Sequence, residues 1–324
     1  MSLNSFFITL ITILGSAGWA FGQLPEKQQP PQEETTGANW LSDLPDDTAL
    51  QTLHIPGTHN SAALYEPWRG TAKCQSLSID EQLLAGVRFF DIRCRHRNDR
   101  FDLYHGMVNQ KQTFGELQQT LTQFLETNPS ETLIVSIQET STSRNNTRAF
   151  TETFLDYQKQ APELWSEVST VPTLGQVRGK MVLLRRFRSP QPIGIPATNW
   201  NSNSIHTTKL LLIQDLYKVQ KPKTKWQHIE QLWATQPQHP ELLALNFTSG
   251  YQSGGLPNIT AVSNHVHPLL DTKLTTAPPP PSVLILDHVT AELASTIYQL
   301  NLAPQAAEPQ ENEKRSDRQS EDRP

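Results

Sequence analysis

The chain has 324 residues, 36% of them hydrophobic, and a formal net charge of -5. That length allows one large domain or two small ones. The charge balance excludes the basic clustering that a nucleic-acid surface needs, and it neither supports nor excludes contact with a membrane.

Met1 to Gly22 reads as a secretory signal peptide. Phe6 to Leu14 is an apolar core too short to span a bilayer, and Ala20-Phe21-Gly22 offers small residues at a cleavage site. The expected mature start is Gln23, and the expected location is extracellular. A short membrane anchor is the alternative for this segment. Residues 23–37, rich in Pro, Gln and Glu, form an expected disordered leader, and the polar residues 304–324 an expected disordered tail. The folded unit is 38–303, with no internal repeat.

Inside it, Leu50 to Ile55 is a β-prone run that stops at Pro56-Gly57. Behind the turn stand Thr58, His59, Asn60 and Ser61, able to exchange hydrogen bonds or protons. Ile79 to Ala85 is a short helix with Ser78 as N-cap and Gly86 after its end. Val87 to Cys94 is a strand, Phe101 to His105 another. Leu117, Leu121 and Phe124-Leu125 give Thr113 to Thr127 a helical face. Thr132 to Ile137 is an apolar, β-branched strand, and Phe150 to Tyr157 a helix. Met181–Leu184, Leu210–Ile213 and Leu242–Phe247 read as buried strands, with a helical pattern over Trp226 to Trp233. Val283 to Leu286 is the last strand and Thr290 to Leu300 the last helix. Strands alternating with helices predict a parallel sheet with crossovers. The link from Arg93 to Phe101 is too short for a crossover helix, which predicts an irregular barrel or a hairpin at that step.

Cys74 and Cys94 are the two cysteines, and an oxidising compartment would suit one disulfide between them. Strand alternation points Cys94 away from Arg93, towards the helix that follows Cys74, so the bond would tie helix to strand. Glycosylation sequons stand at Asn145, Asn246 and Asn258. Asn246 lies in an apolar run and is expected to be buried, leaving Asn145 and Asn258.

The polar residues gather at the strand ends. His59 and Asn60 follow the first; Asp91 and Arg93 share a face of the second; His105 ends the third. Gln138 and Glu139 follow the fourth, Arg185 and Arg186 the fifth, Asp215 and Tyr217 the sixth, and Asp287 the last. Each alone suits an ion pair or a cap. Together they suit an anionic, hydroxylated substrate.

Ile55-Pro56-Gly57-Thr58-His59-Asn60-Ser61, Glu81-Gln82-Leu83, Gly86-Val87-Arg88-Phe89-Phe90-Asp91-Ile92-Arg93 and Tyr104-His105-Gly106 stand in order. This set resembles the X-type catalytic domain of secreted microbial phosphatidylinositol-specific phospholipase C. The similarity extends through most of residues 48 to 302. It implies an α/β fold, a distorted TIM-type β/α barrel with a single catalytic domain. It also implies cleavage of phosphatidylinositol, or of glycosylphosphatidylinositol anchors, to diacylglycerol and inositol 1,2-cyclic phosphate. By that resemblance His59 is the general base, Asp287 orients it, Arg93 neutralises the phosphate and His105 is the general acid. Arg186, Asp215, Tyr217 and Glu139 would bind the inositol, and Trp68 matches a rim tryptophan at the membrane.

Some relatives place Ca²⁺ where Arg93 stands. A fixed guanidinium occupies that position, so no metal and no cofactor are expected. Two departures stand out: Asn60 stands where the family usually has an Asp that supports the charged general acid, which implies a place for Asn60 beside His105 in the catalytic set, and Gln138-Glu139-Thr140 lacks a pocket Lys. They leave a second reading, a weakened, non-enzymatic binder of inositol phospholipid or glycan. A third, a glycerophosphodiester phosphodiesterase, would need a metal-binding carboxylate at Arg93. The chain is expected to act as a monomer in peripheral contact with a membrane.

Overall fold

The computed structural model describes residues 37–302 apart from 141, 202 and 255–257. The signal segment, the leader up to residue 36 and the tail lie outside the described residues. Gly37, the last position of the expected leader, is already inside the fold: its carbonyl accepts a hydrogen bond from Arg88.

The strands are β1 (Ile55–Thr58), β2 (Phe89–Arg97), β3 (Arg100–His105), β4 (Val108–Thr113), β5 (Thr132–Glu139), β6 (Lys180–Arg186), β7 (Ile195–Pro196), β8 (Ile205–Thr207), β9 (Leu211–Gln214), β10 (Lys218–Val219), β11 (Leu243–Phe247), β12 (Tyr251–Gln252) and β13 (Val283–Leu286). The helices are α1 (Ile79–Leu84), α2 (Phe114–Thr127), α3 (Phe150–Gln160), α4 (Leu174–Val177), α5 (Pro222–Thr235), α6 (Ile259–Thr276) and α7 (Ala291–Gln299).

The main sheet runs β7-β6-β5-β2-β1-β13-β11-β9-β8, parallel except for the antiparallel β8–β9 pair. Alternation along the strands sorts the core into two shells. Ile55, Phe89, Ile134, Val182, Leu211, Leu245 and Ile285, from seven different strands, meet in one inner cluster. Their neighbours Phe90, Val135, Leu183, Leu212, Ala244 and Leu284 face outward into the layer shared with the helices. β7 and β8 end the path unpaired with each other among the described residues, so the barrel is irregular, as the short Arg93–Phe101 link predicts.

That link is a hairpin. Arg97 pairs with Arg100, and Asn98 and Asp99 take φ of 51° and 56°, the left-handed pair a two-residue turn requires. The chain returns through β4, whose sequence VNQKQT carries no apolar alternation and gave no strand signal. Ser78 caps α1 with Glu81 in a reciprocal capping box, and Thr113 and Glu116 do the same for α2. α6 went unread because Pro268 lies inside it, yet Val262, Val266, Leu270 and Leu274 form its buried stripe.

Two expectations are corrected. The first strand does not stop at Pro56: Leu50–Thr52 is a 3₁₀ turn, and Pro56-Gly57 lies within β1. The Pro56 carbonyl still accepts from Arg88 N at 2.9 Å. A Cβ on Gly57 would stand 2.9 Å from Phe89 Cβ, so this glycine serves close strand approach rather than a turn. The disulfide is absent: both cysteines are free. Cys94 packs in the outer core, whereas Cys74 lies in a separate small cluster with Ala63 and Ile259 and turns its sulfur to His105. Asn246 is buried and hydrogen-bonded to Gln214, as expected, while Asn145 and Asn258 are exposed.

Candidate active site

Register brings the first pair together. Thr58 stands opposite Leu286 across β1 and β13, so the residues that follow, His59 and Asp287, emerge side by side. His59 Nδ1 lies 2.7 Å from Asp287 Oδ1, and Gly250 N donates to the other Asp287 oxygen at 3.1 Å. Burial would raise the Asp287 carboxyl; the facing His59 outweighs it and holds it below the usual range. The proton therefore sits on Nδ1, and Nε2 is the acceptor. Arg93 Nη2 donates to that Nε2 at 2.7 Å.

Arg93 comes from β2, with Asp91 two residues earlier on the same face. Asp91 is fully buried and accepts from Arg93 at 3.3 Å, from Arg186 of β6 at 3.2 Å and from Asn60 N at 3.1 Å. Its burial favours the neutral acid, but Arg93 and then Arg186 prevail and keep it ionised. Two guanidinium groups are thus fixed beside the histidine by one carboxylate.

His105, at the end of β3, faces His59 edge to face, with ring centroids 6.2 Å apart. Its Nδ1 donates to Ala72 O at 2.7 Å, which leaves Nε2 as its free nitrogen. Burial, and next the charge of Arg93, push its pKa down to about 4.

His59, Arg93, His105 and Asp287 line a cavity of about 400 Å³; Arg186, Asp215, Tyr217 and Trp200 line it too. Trp200 Nε1 donates to Asp215 Oδ2 at 2.9 Å, and the Arg186 guanidinium lies 3.7 Å from the Trp200 ring centre. Gln138 also lines the cavity. Among the described residues, its Oε1 and the Nε of Arg93 are buried without a hydrogen-bond partner, a state that costs about 1–3 kcal/mol per group. The arrangement suits an anion flanked by a proton acceptor and a proton donor, with hydroxyl groups beyond.

The structure therefore brings together His59, Arg93, His105, Asp287, Arg186, Asp215 and Tyr217. It does not bring in Glu139. Gln138 is the residue opposite Arg93, so Glu139 points to the other face of β5, accepts from Ser143 and lines a separate groove with His96 and Arg185. Asn60 is buried in the turn at φ 45°; it does not line the cavity and makes no hydrogen bond to His105. Trp68 is 75% exposed. Gln138 was legible from the alternation that placed Arg93. Trp200 lies in an irregular connection and carries no periodic signal.

Among the described residues, ligand atoms of His59, Cys74 and Asp287 lie within 4.8 Å of one another and form the one group close enough to hold a metal ion. A metal there would have to displace the His59–Asp287 hydrogen bond and ionise a thiol that burial holds well above its usual pKa.

The family model for the phosphatidylinositol-specific phospholipase C X domain matches residues 48–187. A 1-phosphatidylinositol phosphodiesterase of Listeria monocytogenes is 31% identical over 212 residues, 63% of this chain and 65% of that protein, so the match spans about two thirds of that relative. One from Staphylococcus aureus is 28% identical over 82% of this chain and 86% of that one. The solved phosphatidylinositol-specific phospholipase C of S. aureus superposes with a TM-score of 0.70 at 26% identity, over 81% of this chain and 98% of its own. That of L. monocytogenes gives 0.67 at 26% identity, over 82% and 98%. In sequence over residues 48–187 and in fold over four fifths of its length, the chain is similar to the phosphatidylinositol-specific phospholipases C.

Proposed function

We propose that this protein is a secreted, metal-independent phospholipase C that cleaves phosphatidylinositol to diacylglycerol and inositol 1,2-cyclic phosphate. The observation that carries the reading is His59, held by Asp287 on one nitrogen and by Arg93 on the other, with His105 across the cavity. A phosphodiester entering the cavity draws the Arg93 guanidinium onto its non-bridging oxygens and frees His59 Nε2. That nitrogen takes the proton of the inositol 2-hydroxyl, and the oxygen attacks phosphorus. The bound anionic phosphodiester offsets the nearby Arg93 charge and favours the protonated imidazole of His105. As the bond from phosphorus to the glycerol oxygen breaks, that imidazolium delivers its Nε2 proton to the oxygen. Asp287 stabilises the imidazolium formed on His59, and the two guanidinium groups offset the charge built on phosphorus. Arg186, Asp215, Tyr217, Trp200 and Gln138 form the inositol side.

The metal-independent part rests on Arg93 standing as the fixed cation beside the base. Its test is cleavage of labelled phosphatidylinositol in excess chelator, with the water-soluble product identified. Undiminished activity yielding the cyclic phosphate is expected. Activity that vanishes with chelator and returns with Ca²⁺ would overturn it. Release of an anchored protein from cells asks whether glycosylphosphatidylinositol is also a substrate. A non-enzymatic binder has no need of two histidines poised for proton transfer, and failure to cleave any inositol phosphodiester while binding vesicles would favour that reading instead.

A further inference from the structure

Glu66 lies in the loop between β1 and α1 and takes no part in the chemistry above. One of its oxygens, Oε2, nevertheless accepts four successive backbone N–H groups: Gly70 at 2.9 Å, Thr71 at 3.1 Å, Ala72 at 3.3 Å and Lys73 at 3.1 Å. Consecutive amides converging on one point make an anion-binding concavity, here filled by the chain's own carboxylate. Burial raises this carboxyl slightly, and the four amides outweigh it and hold it below its usual range.

The clasped segment reaches the site. Thr71 lines the cavity, and the carbonyl of Ala72 accepts the Nδ1 proton of His105 at 2.7 Å. That bond fixes the tautomer in which His105 presents Nε2 to the substrate. Other hydrogen bonds hold the start of the segment: Thr71 donates to Trp68 O from N at 3.3 Å and from Oγ1 at 2.6 Å, and Gly70 O accepts from Ile259 N at 3.5 Å. Among the described residues, however, the N–H groups of Ala72 and Lys73 have no acceptor besides Glu66. On the far side, the fold takes over again at Cys74, whose N–H donates to Ala63 O at 2.9 Å.

We propose that Glu66 is the positioning residue for His105: by clasping residues 70–73 it sets the place of the Ala72 carbonyl, and through it the nitrogen on which His105 keeps its fixed proton. The proposal rests on His105 being the general acid. Glu66 touches neither substrate nor imidazole and acts only through the loop.

The test compares Glu66→Ala, Glu66→Ser and Glu66→Gln in the full chain. Each is assayed on a soluble inositol glycerophosphodiester, and the His105 ring nitrogens are observed by ¹⁵N NMR above its pKa. Loss of the clasp is expected to lower kcat by about ten- to a hundredfold, the scale of a misplaced catalytic group, with KM little changed. The ring nitrogens should move from the values of a single Nδ1–H tautomer towards the average of both. Glu66→Gln keeps an acceptor oxygen and should recover most of the loss. Glu66→Ser stands in if Glu66→Ala does not fold. Unmoved ring nitrogens and unchanged kcat in a folded Ala or Ser variant would overturn the proposal. His105→Ala is assayed alongside: if it stays active the general-acid reading fails, while the NMR result still decides the clasp.

Discussion

Two arginines five residues apart, Arg88 just before β2 and Arg93 in the middle of it, have opposite fates. Arg88 is fully buried and spends every donor on the protein. Nε donates to Glu131 at 2.8 Å, Nη1 to the carbonyls of Leu83 and Val87, and Nη2 to those of Gly37 and Ala38. Arg93 shares one nitrogen between His59 and Asp91 and leaves its buried Nε without a partner. The first closes the bottom of the barrel and pins the segment that enters it. The second keeps donor capacity in reserve at the top. Of these two buried charges, the saturated one holds the fold together and the unsaturated one faces the cavity.

The largest effect should come from breaking the unsaturated end. His59→Ala and His105→Ala are each expected to lower turnover by about 10²–10⁴-fold in a protein that still folds. Near wild-type turnover in either purified variant would sink the assigned roles. At the saturated end the pattern should reverse. Arg88→Met leaves the buried Glu131 carboxyl without its cation and should cost about 3–5 kcal/mol in urea unfolding, while kcat of the folded fraction stays put. The double variant Arg88→Met/Glu131→Leu should recover much of that loss. A normal midpoint with a lowered kcat in Arg88→Met would show that the two ends are not divided in this way.

The same contrast explains what the sequence disclosed. The buried strands were legible because Val283-Leu284-Ile285-Leu286 and its counterparts are apolar on both faces. His59, Arg93, His105 and Asp287 were legible because strand ends repeat a chemical pattern. Glu139 was misplaced by one residue, and in a strand one residue is the other face. The link between Asn60 and His105 failed because adjacency in sequence says nothing about a turn at positive φ, which sends the Asn60 side chain elsewhere. The pairing of Cys74 with Cys94 assumed that Cys74 followed its helix; a loop clasped by Glu66 carries it to His105 instead. β4 and Trp200 had no periodic signal to read.

Two histidines bracket β1 and sharpen the comparison through pH. His59, after the strand, has both nitrogens engaged. His54, before it, is buried with Nδ1 unpartnered, and burial pushes its pKa down to about 4 from an ordinary 6.5. Between those values the unfolded chain binds a proton that the folded chain refuses. His54 therefore contributes stability in full above pH 6.5 and loses it as pH falls towards 4, at most about 3 kcal/mol. Urea unfolding at neutral and mildly acid pH should show this fall, and His54→Gln should flatten it. His105, depressed in the same direction, should add to the slope, so the His105→Ala variant serves as the second reference. An equal slope in wild type and both variants would remove these residues as its cause.

The smallest expected effect lies at the outer edge of the unsaturated end. Trp68 and Met107 are the most exposed large apolar side chains among the described residues, at 75% and 81%. Trp68 is three residues from Thr71, which lines the cavity, and Met107 two residues from His105. At the other side of the contrast, Leu84 closes α1 far from any cavity-lining residue in sequence and is also exposed. If apolar exposure at the mouth serves a bilayer, an indole there sits at headgroup level and loses its partial burial when removed. Trp68→Ala should then weaken binding to phosphatidylinositol-containing vesicles by about tenfold, roughly the share of a large side chain's transfer energy that partial immersion gives. Turnover of a soluble inositol phosphodiester should not change, because neither the Ala72–His105 bond nor the Glu66 clasp uses the Trp68 side chain. Leu84→Ser should alter neither. An equal loss on vesicles and soluble substrate would place Trp68 with the loop's internal order rather than with the membrane.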